Sequence, residues 1–208
     1  MLKDVTLYSS PTSPFARRVR IALRQMSLAY DEVTVENLFP PPPEFLKLNP
    51  LGLIPVLIAK GFEPIPHSNA ILEFLDDHEA HLWPRLIESR WAAKKLGILA
   101  TGILTDAVAW RLESIRPDSR GDILQFRENS IINTLQNLFL SKVNYSINGK
   151  NLHQGIIDVG IALQYLSFRL PHLDWETVLN GTDETLWECL DGVPAFEITM
   201  PPGLAKQV

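Results

Sequence analysis

The chain has 208 residues, 46% of them hydrophobic and 21% charged, which is enough to bury a sizeable core in one large domain or two small ones. Its net charge of −5 and the lack of a basic stripe argue against nucleic-acid binding, and no run of about 18 apolar residues predicts a membrane span. The charged start, Met1-Leu-Lys-Asp-Val5, lacks the apolar run of a signal peptide, so we expect a cytoplasmic protein.

Cysteine and histidine usage limits the chemistry further. The single cysteine, Cys189, cannot form an internal disulfide or a CxxC redox pair. The five histidines show no HxxxH spacing, which is the kind of pattern that places two ligands on one helix face. The sequence therefore predicts no dithiol chemistry within the chain and no metal site.

The first part of the chain opens with a strand, a helix and a second strand. Alternation and helical periodicity predict these elements at Val5–Tyr8, Pro14–Gln25 and Tyr30–Val35. Ser13 is the predicted N-cap of the helix and Pro14 its first residue. Because a helix start carries free N–H groups and partial positive charge, this turn favours an anion such as a thiolate or a carboxylate.

The next segment completes a small sheet. Consecutive prolines at 40–43 predict an extended connection into a short helix at Glu44–Leu48. A hairpin with strands at Pro55–Ile58 and Phe62–Pro66 follows, and Ser68 is the predicted cap of the next helix. Two strands and a helix after a βαβ unit predict a mixed four-stranded sheet.

The pattern changes to helices alone from about Leu82 onward. Periodicity near 3.6 residues predicts long helices at Leu86–Ile115, Ile123–Val143 and Gly155–Leu170. This change predicts a domain boundary, with an α/β domain at residues 1–79 and an all-helical domain at residues 86–208.

Three features of the first domain follow one another in the order of a thioredoxin-fold thiol-binding site. They are the Ser13-Pro14 turn, Leu53-Ile-Pro-Val-Leu57, and His67-Ser68 at a helix start. With these features the chain resembles the glutathione transferase family over nearly its whole length, most closely bacterial members with a serine-type active site. The resemblance implies a thioredoxin-like α/β N-terminal domain followed by an all-α helical C-terminal domain, the glutathione transferase fold.

The resemblance also assigns roles to particular residues, with glutathione as co-substrate. Ser13, or else Thr12, would donate a hydrogen bond to the glutathione thiolate. Ile54, before a Pro55 held cis, would offer its backbone to the cysteinyl part, and Ser68 would hold the γ-glutamyl carboxylate. From the residues alone, both serines are equally well interpreted as plain helix caps.

His67 departs from the family pattern, in which an acidic residue or glutamine precedes the serine. A carboxylate there would pair with the α-ammonium group of glutathione, whereas a neutral imidazole offers one acceptor and an imidazolium would repel the ammonium. Because His67 stands where the family has an acidic residue or glutamine, we expect weaker glutathione binding.

Other polar residues are interpreted as structural. The first helix carries four arginines, Arg17, Arg18, Arg20 and Arg24. We expect most of them to face solvent or form interdomain pairs, with Arg17 near enough to the turn to touch a substrate. Gly155 occupies the cap of the family's helix-capping motif, and Asp158, three residues later, would serve folding.

The implied reaction is addition or substitution by the bound thiolate on a small apolar electrophile, as in detoxification. Trp91, Trp110 and Tyr145 either line the electrophile's pocket or pack in the helical core. The alternatives are a non-catalytic binding or regulatory protein on the same scaffold and a glutathione-dependent isomerase or dehalogenase. The resemblance further implies a homodimer that uses no metal and binds neither nucleic acid nor membrane.

Overall fold

A computed structural model describes residues 2–138, 152–179 and 184–204. The described residues form two compact units, one containing the chain up to Leu82 together with the segment from Pro194 onward, and one running from Trp83 to Val193. The sequence division assigned the segment after Pro194 to the helical domain, whereas its helix packs in the first unit.

The first unit contains a mixed four-stranded sheet, as predicted. Its strands are β1 (Thr6–Ser9), β2 (Asp31–Thr34), β3 (Val56–Ile58) and β4 (Ile65–Pro66). The strand order is β2-β1-β3-β4, with β1 parallel to β2 and antiparallel to β3, and β4 antiparallel to β3. The return strand begins at Ile65 and not at the predicted Phe62, because Gly61 turns the chain at φ +89° and Pro64 has no N–H to donate.

The helices in the first 82 residues of this unit are α1 (Pro14–Gln25), α2 (Pro43–Leu48) and α3 (Ser68–Leu75), which continues into a π-helical turn (Asp76–Ala80). Helix α1 begins where the sequence predicts, with the Ser13 hydroxyl oxygen accepting a hydrogen bond from the Ala16 N–H at 3.2 Å. Its apolar side chains at Val19, Ala22 and Leu23 are fully buried in the unit's core. The local capping chemistry and the apolar stripe thus act together to place this helix.

Three of the four arginines of α1 are buried and bond within the first unit, so the expectation that most of them face solvent or form interdomain pairs is wrong. Arg17 is 1% exposed, Arg18 2% and Arg20 9%, while Arg24 is exposed. Each buried guanidinium donates hydrogen bonds to oxygen atoms of another segment of the first unit, which offsets the cost of burying a charge. Sequence periodicity alone does not reveal these distant oxygen partners.

Arg17 joins α1 to the late helix α9 (Pro194–Ile198). Its Nη2 donates to the Phe196 carbonyl at 2.8 Å, its Nε donates to the Thr199 hydroxyl at 3.3 Å, and its guanidinium lies 4.4 Å from the Phe196 ring centroid. Burial, aided by the charge of Arg20, lowers the pKa of Arg17 to about 9, so the side chain is protonated at neutral pH. These contacts explain why the segment after Pro194 belongs to the first unit.

The second unit is helical. Its helices are α4 (Ile87–Ser114), α5 (Gly121–Gln136), α6 (Gln154–Arg169), α7 (Trp175–Val178) and α8 (Glu184–Asp191). The predicted helices at Leu86–Ile115 and Gly155–Leu170 are confirmed within one residue at each end. The middle helix, predicted at Ile123–Val143, spans Gly121–Gln136 and therefore ends seven residues before the predicted Val143. Tyr145 lies outside the described residues.

The aromatic candidates of this unit have different surroundings. Trp91 is 64% exposed, so the core interpretation is wrong for it. Trp110 is half-buried, with its indole N–H donating to the Glu128 carboxylate at 2.8 Å and its ring 5.2 Å from that of His172. Trp110 is therefore held inside the helical unit by a polar contact as well as by packing.

Gly155 is not the cap of α6, because His153 occupies that position and Gly155 is the second residue of the helix. A Cβ atom at Gly155 would lie 2.3 Å from the Ala93 carbonyl oxygen of α4. The glycine is needed for the close approach of two helices. Asp158 is fully buried and accepts a hydrogen bond from the Gln154 side chain at 2.7 Å, in keeping with a role in folding.

We predict that Gly155→Ala lowers the free energy of unfolding by about 1–3 kcal/mol, because the added methyl group must displace the backbone of α4. The matched control is Gly102→Ala, at an exposed site of α4 where a Cβ meets no atom within 4 Å. This control should leave stability unchanged or raise it by up to about 1 kcal/mol. Urea unfolding of both variants checks the prediction, and equal stabilities would contradict it.

His153 makes stability depend on pH. Burial lowers its pKa from 6.5 to about 4, although the charge of Asp158 acts in the opposite direction. As pH falls through 6.5, the unfolded chain binds a proton that the folded chain excludes, so stability is lost. We predict that between about pH 7 and 5.5 the free energy of unfolding falls by about 1 kcal/mol more in wild type than in His153→Asn, as measured by urea unfolding. The exposed His81, replaced by asparagine, should keep the wild-type pH dependence.

Candidate functional site

The strand register brings the three predicted site segments to one edge of the sheet. Tyr8 pairs with Val56, so the end of β1 lies beside the start of β3. Val56 also pairs with Pro66, and the His67 N–H donates to the Pro55 carbonyl at 3.2 Å, so the end of β4 lies on the other side of β3. The turn before α1, the Ile54-Pro55 segment and the start of α3 are therefore neighbours.

The turn before α1 presents two of the predicted hydroxyl groups. The Ser13 N–H donates to the Ser10 carbonyl at 3.1 Å, and the Ser13 hydroxyl is an acceptor in the cap, which leaves its proton available for donation. The Thr12 hydroxyl lies 3.5 Å from that of Ser10. Both Thr12 and Ser13 are half-buried. The capping role of Ser13 is thus compatible with hydrogen-bond donation to an anion.

The Ile54–Pro55 peptide bond is cis, as the resemblance implies. Among the described residues, the backbone N–H and C=O of Ile54 have no hydrogen-bond partner. The N–H donor and the C=O acceptor of Ile54 are therefore available to pair with an extended segment of a ligand, as one strand pairs with another.

His67, and not Ser68, is the N-cap of α3, which corrects the predicted cap by one residue. His67 has a φ of +71°, and its Nδ1 accepts a hydrogen bond from the Asn69 N–H at 3.2 Å. Ser68 is the first residue of the helix, and it is 2% exposed. The exposed imidazole of His67 therefore caps the helix, which is the structural role that the sequence predicted for the Ser68 hydroxyl.

Arg18 is a candidate site residue that the sequence did not reveal. Its Nη1 donates to the Ser68 hydroxyl oxygen at 2.8 Å and to the Asn69 side-chain oxygen at 2.7 Å, which brings a buried cation to the start of α3. Ile21 and Ala22, three and four residues later, are fully buried, so helical spacing placed Arg18 on the core-facing stripe. That spacing was the signal for its burial, although nothing local identified its partners.

Arg20 stabilises the turn before α1 through contacts of its side chain. Its Nη2 donates to the Pro11 carbonyl at 3.1 Å, and its Nε lies 3.8 Å from the Glu32 carboxylate, which also accepts a hydrogen bond from the Ser9 hydroxyl. Burial lowers the pKa of Arg20, and Glu32 partly offsets this effect. The charge pair therefore anchors the residues that precede Ser13.

Metal-binding groups and membrane-spanning helices were sought in the part of the chain that the structure describes. No group of three or more histidine, cysteine, aspartate or glutamate side chains is arranged there to hold a metal ion. Within the same residues, no helix is both long and apolar enough to cross a membrane.

Comparison with known proteins identifies the family. A model of the glutathione S-transferase N-terminal domain matches residues 12–78. The crystal structure of a glutathione S-transferase from Methylobacillus flagellatus KT, with glutathione bound, is 31% identical, has a TM-score of 0.80 and covers 95% of this chain and 100% of that chain. This chain belongs to the glutathione S-transferase family and has its fold.

Curated relatives include a nearly full-length match, since glutathione S-transferase Z2 of Arabidopsis thaliana is 26% identical over 94% of this chain and 90% of that protein. Two others match at higher identity over shorter stretches. Glutathione S-transferase U3 of Arabidopsis thaliana is 40% identical over 75 residues, which is 36% of this chain and 33% of that protein. The probable maleylacetoacetate isomerase of Vibrio cholerae is 39% identical over 110 residues, which is 50% of each protein. This chain thus matches about a third of the length of the first of these two relatives and half of the second's.

We predict that Arg18→Lys lowers the free energy of unfolding by about 2 kcal/mol, because an ammonium group cannot reproduce a guanidinium that donates to both Ser68 and Asn69. The control is Arg24→Lys, at an exposed position of the same helix, which should change stability by less than about 0.5 kcal/mol. Urea unfolding compares the two, and similar losses would rule out a special role for the buried guanidinium.

Proposed function

We propose that this protein binds glutathione at the sheet edge described above and transfers its thiolate to a small apolar electrophile. The observation that carries the proposal is the meeting of the Ser13 hydroxyl, the Ile54 backbone and the start of α3 at one edge of the sheet. Similarity to a glutathione-bound relative over nearly the whole chain supports the choice of ligand.

In this proposal, the Ser13 hydroxyl donates a hydrogen bond to the glutathione sulfur while the first N–H groups of α1 add positive potential. Both favour the thiolate and lower the pKa of the bound thiol, and each pKa unit corresponds to about 1.4 kcal/mol. The thiol proton passes to solvent. The sulfur then forms a bond to the electrophilic carbon, and a leaving group departs or a double bond accepts the electron pair.

The remaining site residues bind and orient glutathione. Ile54 pairs its backbone N–H and C=O with the cysteinyl residue, next to the cis Pro55. Ser68 holds the γ-glutamyl carboxylate at the start of α3, where Arg18 adds a buried positive charge. The family resemblance also implies a homodimer, which sedimentation of the full chain would test.

A glutathione-dependent isomerase is the second candidate, favoured by the similarity of half the chain to the probable maleylacetoacetate isomerase. The same thiolate would add to a double bond of the substrate and leave after rotation about the resulting single bond, which regenerates glutathione. The two candidates share the Ser13 site and differ in the substrate, so assays with an aryl halide and with a cis-unsaturated diacid separate them.

We predict that Ser13→Ala lowers kcat/KM with glutathione and an aryl halide at least about tenfold, equal to about 1.4 kcal/mol of transition-state stabilisation. Ser13→Gly, which keeps most of the capping free energy but also lacks a hydroxyl, should lose as much activity. Ser13→Thr retains both the cap and the hydroxyl and should stay within a few-fold of wild type.

Ultraviolet absorbance of the bound thiolate, followed against pH, gives a second readout, and we expect the thiol pKa to rise in the alanine and glycine variants. Unchanged activity in both variants would move the thiolate contact to Thr12 or to the backbone. Absence of saturable glutathione binding to wild type in calorimetry would contradict the proposed function and favour a non-catalytic binding protein.

A further inference from the structure

The polar side chains at the start of α3, His67, Ser68 and Asn69, form a group that we name the α3 cap cluster. The His67 Nδ1 accepts from the Asn69 N–H at 3.2 Å, and the Asn69 side-chain oxygen accepts from Arg18 at 2.7 Å. The Ser68 hydroxyl oxygen also accepts from Arg18, at 2.8 Å. Each of the three side chains therefore uses an acceptor for a hydrogen bond within the protein.

What the cluster still offers a ligand is mainly hydrogen-bond donors. Because the His67 Nδ1 is an acceptor, the ring proton of its neutral form is on Nε2, and this imidazole is exposed. Asn69 is exposed and has an amide NH2 group, and Ser68 retains its hydroxyl proton. The first N–H groups of α3 and the charge of Arg18, which is 2% exposed, add positive potential.

This balance discriminates between the two charged groups of a γ-glutamyl unit. A carboxylate gains hydrogen bonds from the donors and favourable interaction with the cation. An ammonium group needs acceptors, but the one acceptor of the neutral His67 ring is already used. The Ser68 and Asn69 oxygens already accept from Arg18, whose charge repels an ammonium group at the same atoms. The donors and the buried cation therefore favour a carboxylate at this corner over a neighbouring ammonium group.

We propose that the cluster binds the α-carboxylate of the thiol co-substrate without recognising its α-ammonium group. The co-substrate class then extends to cysteinyl peptides whose N-terminal acyl chain ends in a carboxylate and lacks the α-amino group of glutathione. This inference rests on the proposed function, since it concerns the same glutathione site.

The test compares three thiols by calorimetry with the full-length wild-type protein at neutral pH. They are glutathione, glutaryl-Cys-Gly, which lacks only the amino group, and 4-aminobutyryl-Cys-Gly, which lacks only the α-carboxylate. We expect glutaryl-Cys-Gly to bind within about threefold of glutathione or more tightly, and 4-aminobutyryl-Cys-Gly to bind at least about tenfold more weakly.

A matched pair of variants at position 67 tests the cause. Aspartate and asparagine both tolerate a φ of +71° and can cap the helix with one side-chain oxygen, but only aspartate adds a charged acceptor for the ligand. We expect His67→Asp to bind glutathione at least about tenfold more tightly than glutaryl-Cys-Gly. His67→Asn should keep the wild-type ratio of the two affinities.

The outcomes separate the two proposals. If glutathione binds wild type but glutaryl-Cys-Gly binds tenfold more weakly or worse, the ammonium group is recognised and this inference fails while the proposed function stands. If His67→Asp leaves the ratio unchanged, the cap cluster does not control recognition and the inference also fails. If none of the three thiols binds, both the proposed function and the inference are overturned.

Discussion

The buried Arg18 guanidinium connects the two helix starts on which the first unit's candidate site depends. A charged group at 2% exposure is costly unless its donors are paired, and here one Nη atom bonds to two oxygens at the start of α3. Since Arg18 projects from α1, the helix that Ser13 caps, the same contact fixes the position of α3 relative to the Ser13 turn. The two positive helix ends are thereby held toward one edge of the sheet.

Helix α1 holds three other segments through three buried arginines. Arg17 holds α9, Arg18 holds the start of α3, and Arg20 holds the Pro11 carbonyl in the turn that precedes Ser13. Guanidinium groups suit this role because they stay charged and present several donors in a fixed plane. The geometry of the candidate site is thus set by a helix whose polar side chains, as well as its apolar ones, face inward.

The sequence predicts features whose causes are local. Ser13 and Pro14 define the start of α1 because capping and the fixed φ of proline act within one turn. The start of α3 was predicted one residue late because the His67 N–H donates to the carbonyl of Pro55, which precedes β3, and the His67 backbone has a φ of +71°. Gly155 was likewise misread, since the need for glycine comes from the carbonyl of Ala93, far away in the chain. The buried arginines belong to the same category.

Position 67 couples folding to recognition through the number of acceptors on a single side chain. At a helix cap, one acceptor must satisfy a backbone N–H, and the Nδ1 of His67 does so for Asn69. A carboxylate has two oxygens, so it can cap the helix and still bind a ligand ammonium group. A neutral imidazole uses its one acceptor in the cap and has only its other ring N–H left for a ligand. The histidine therefore preserves the local fold while changing what the site can recognise. Because both residue types can cap α3, the identity of residue 67 is free to vary with the ligand without disturbing the scaffold that Arg18 holds in place.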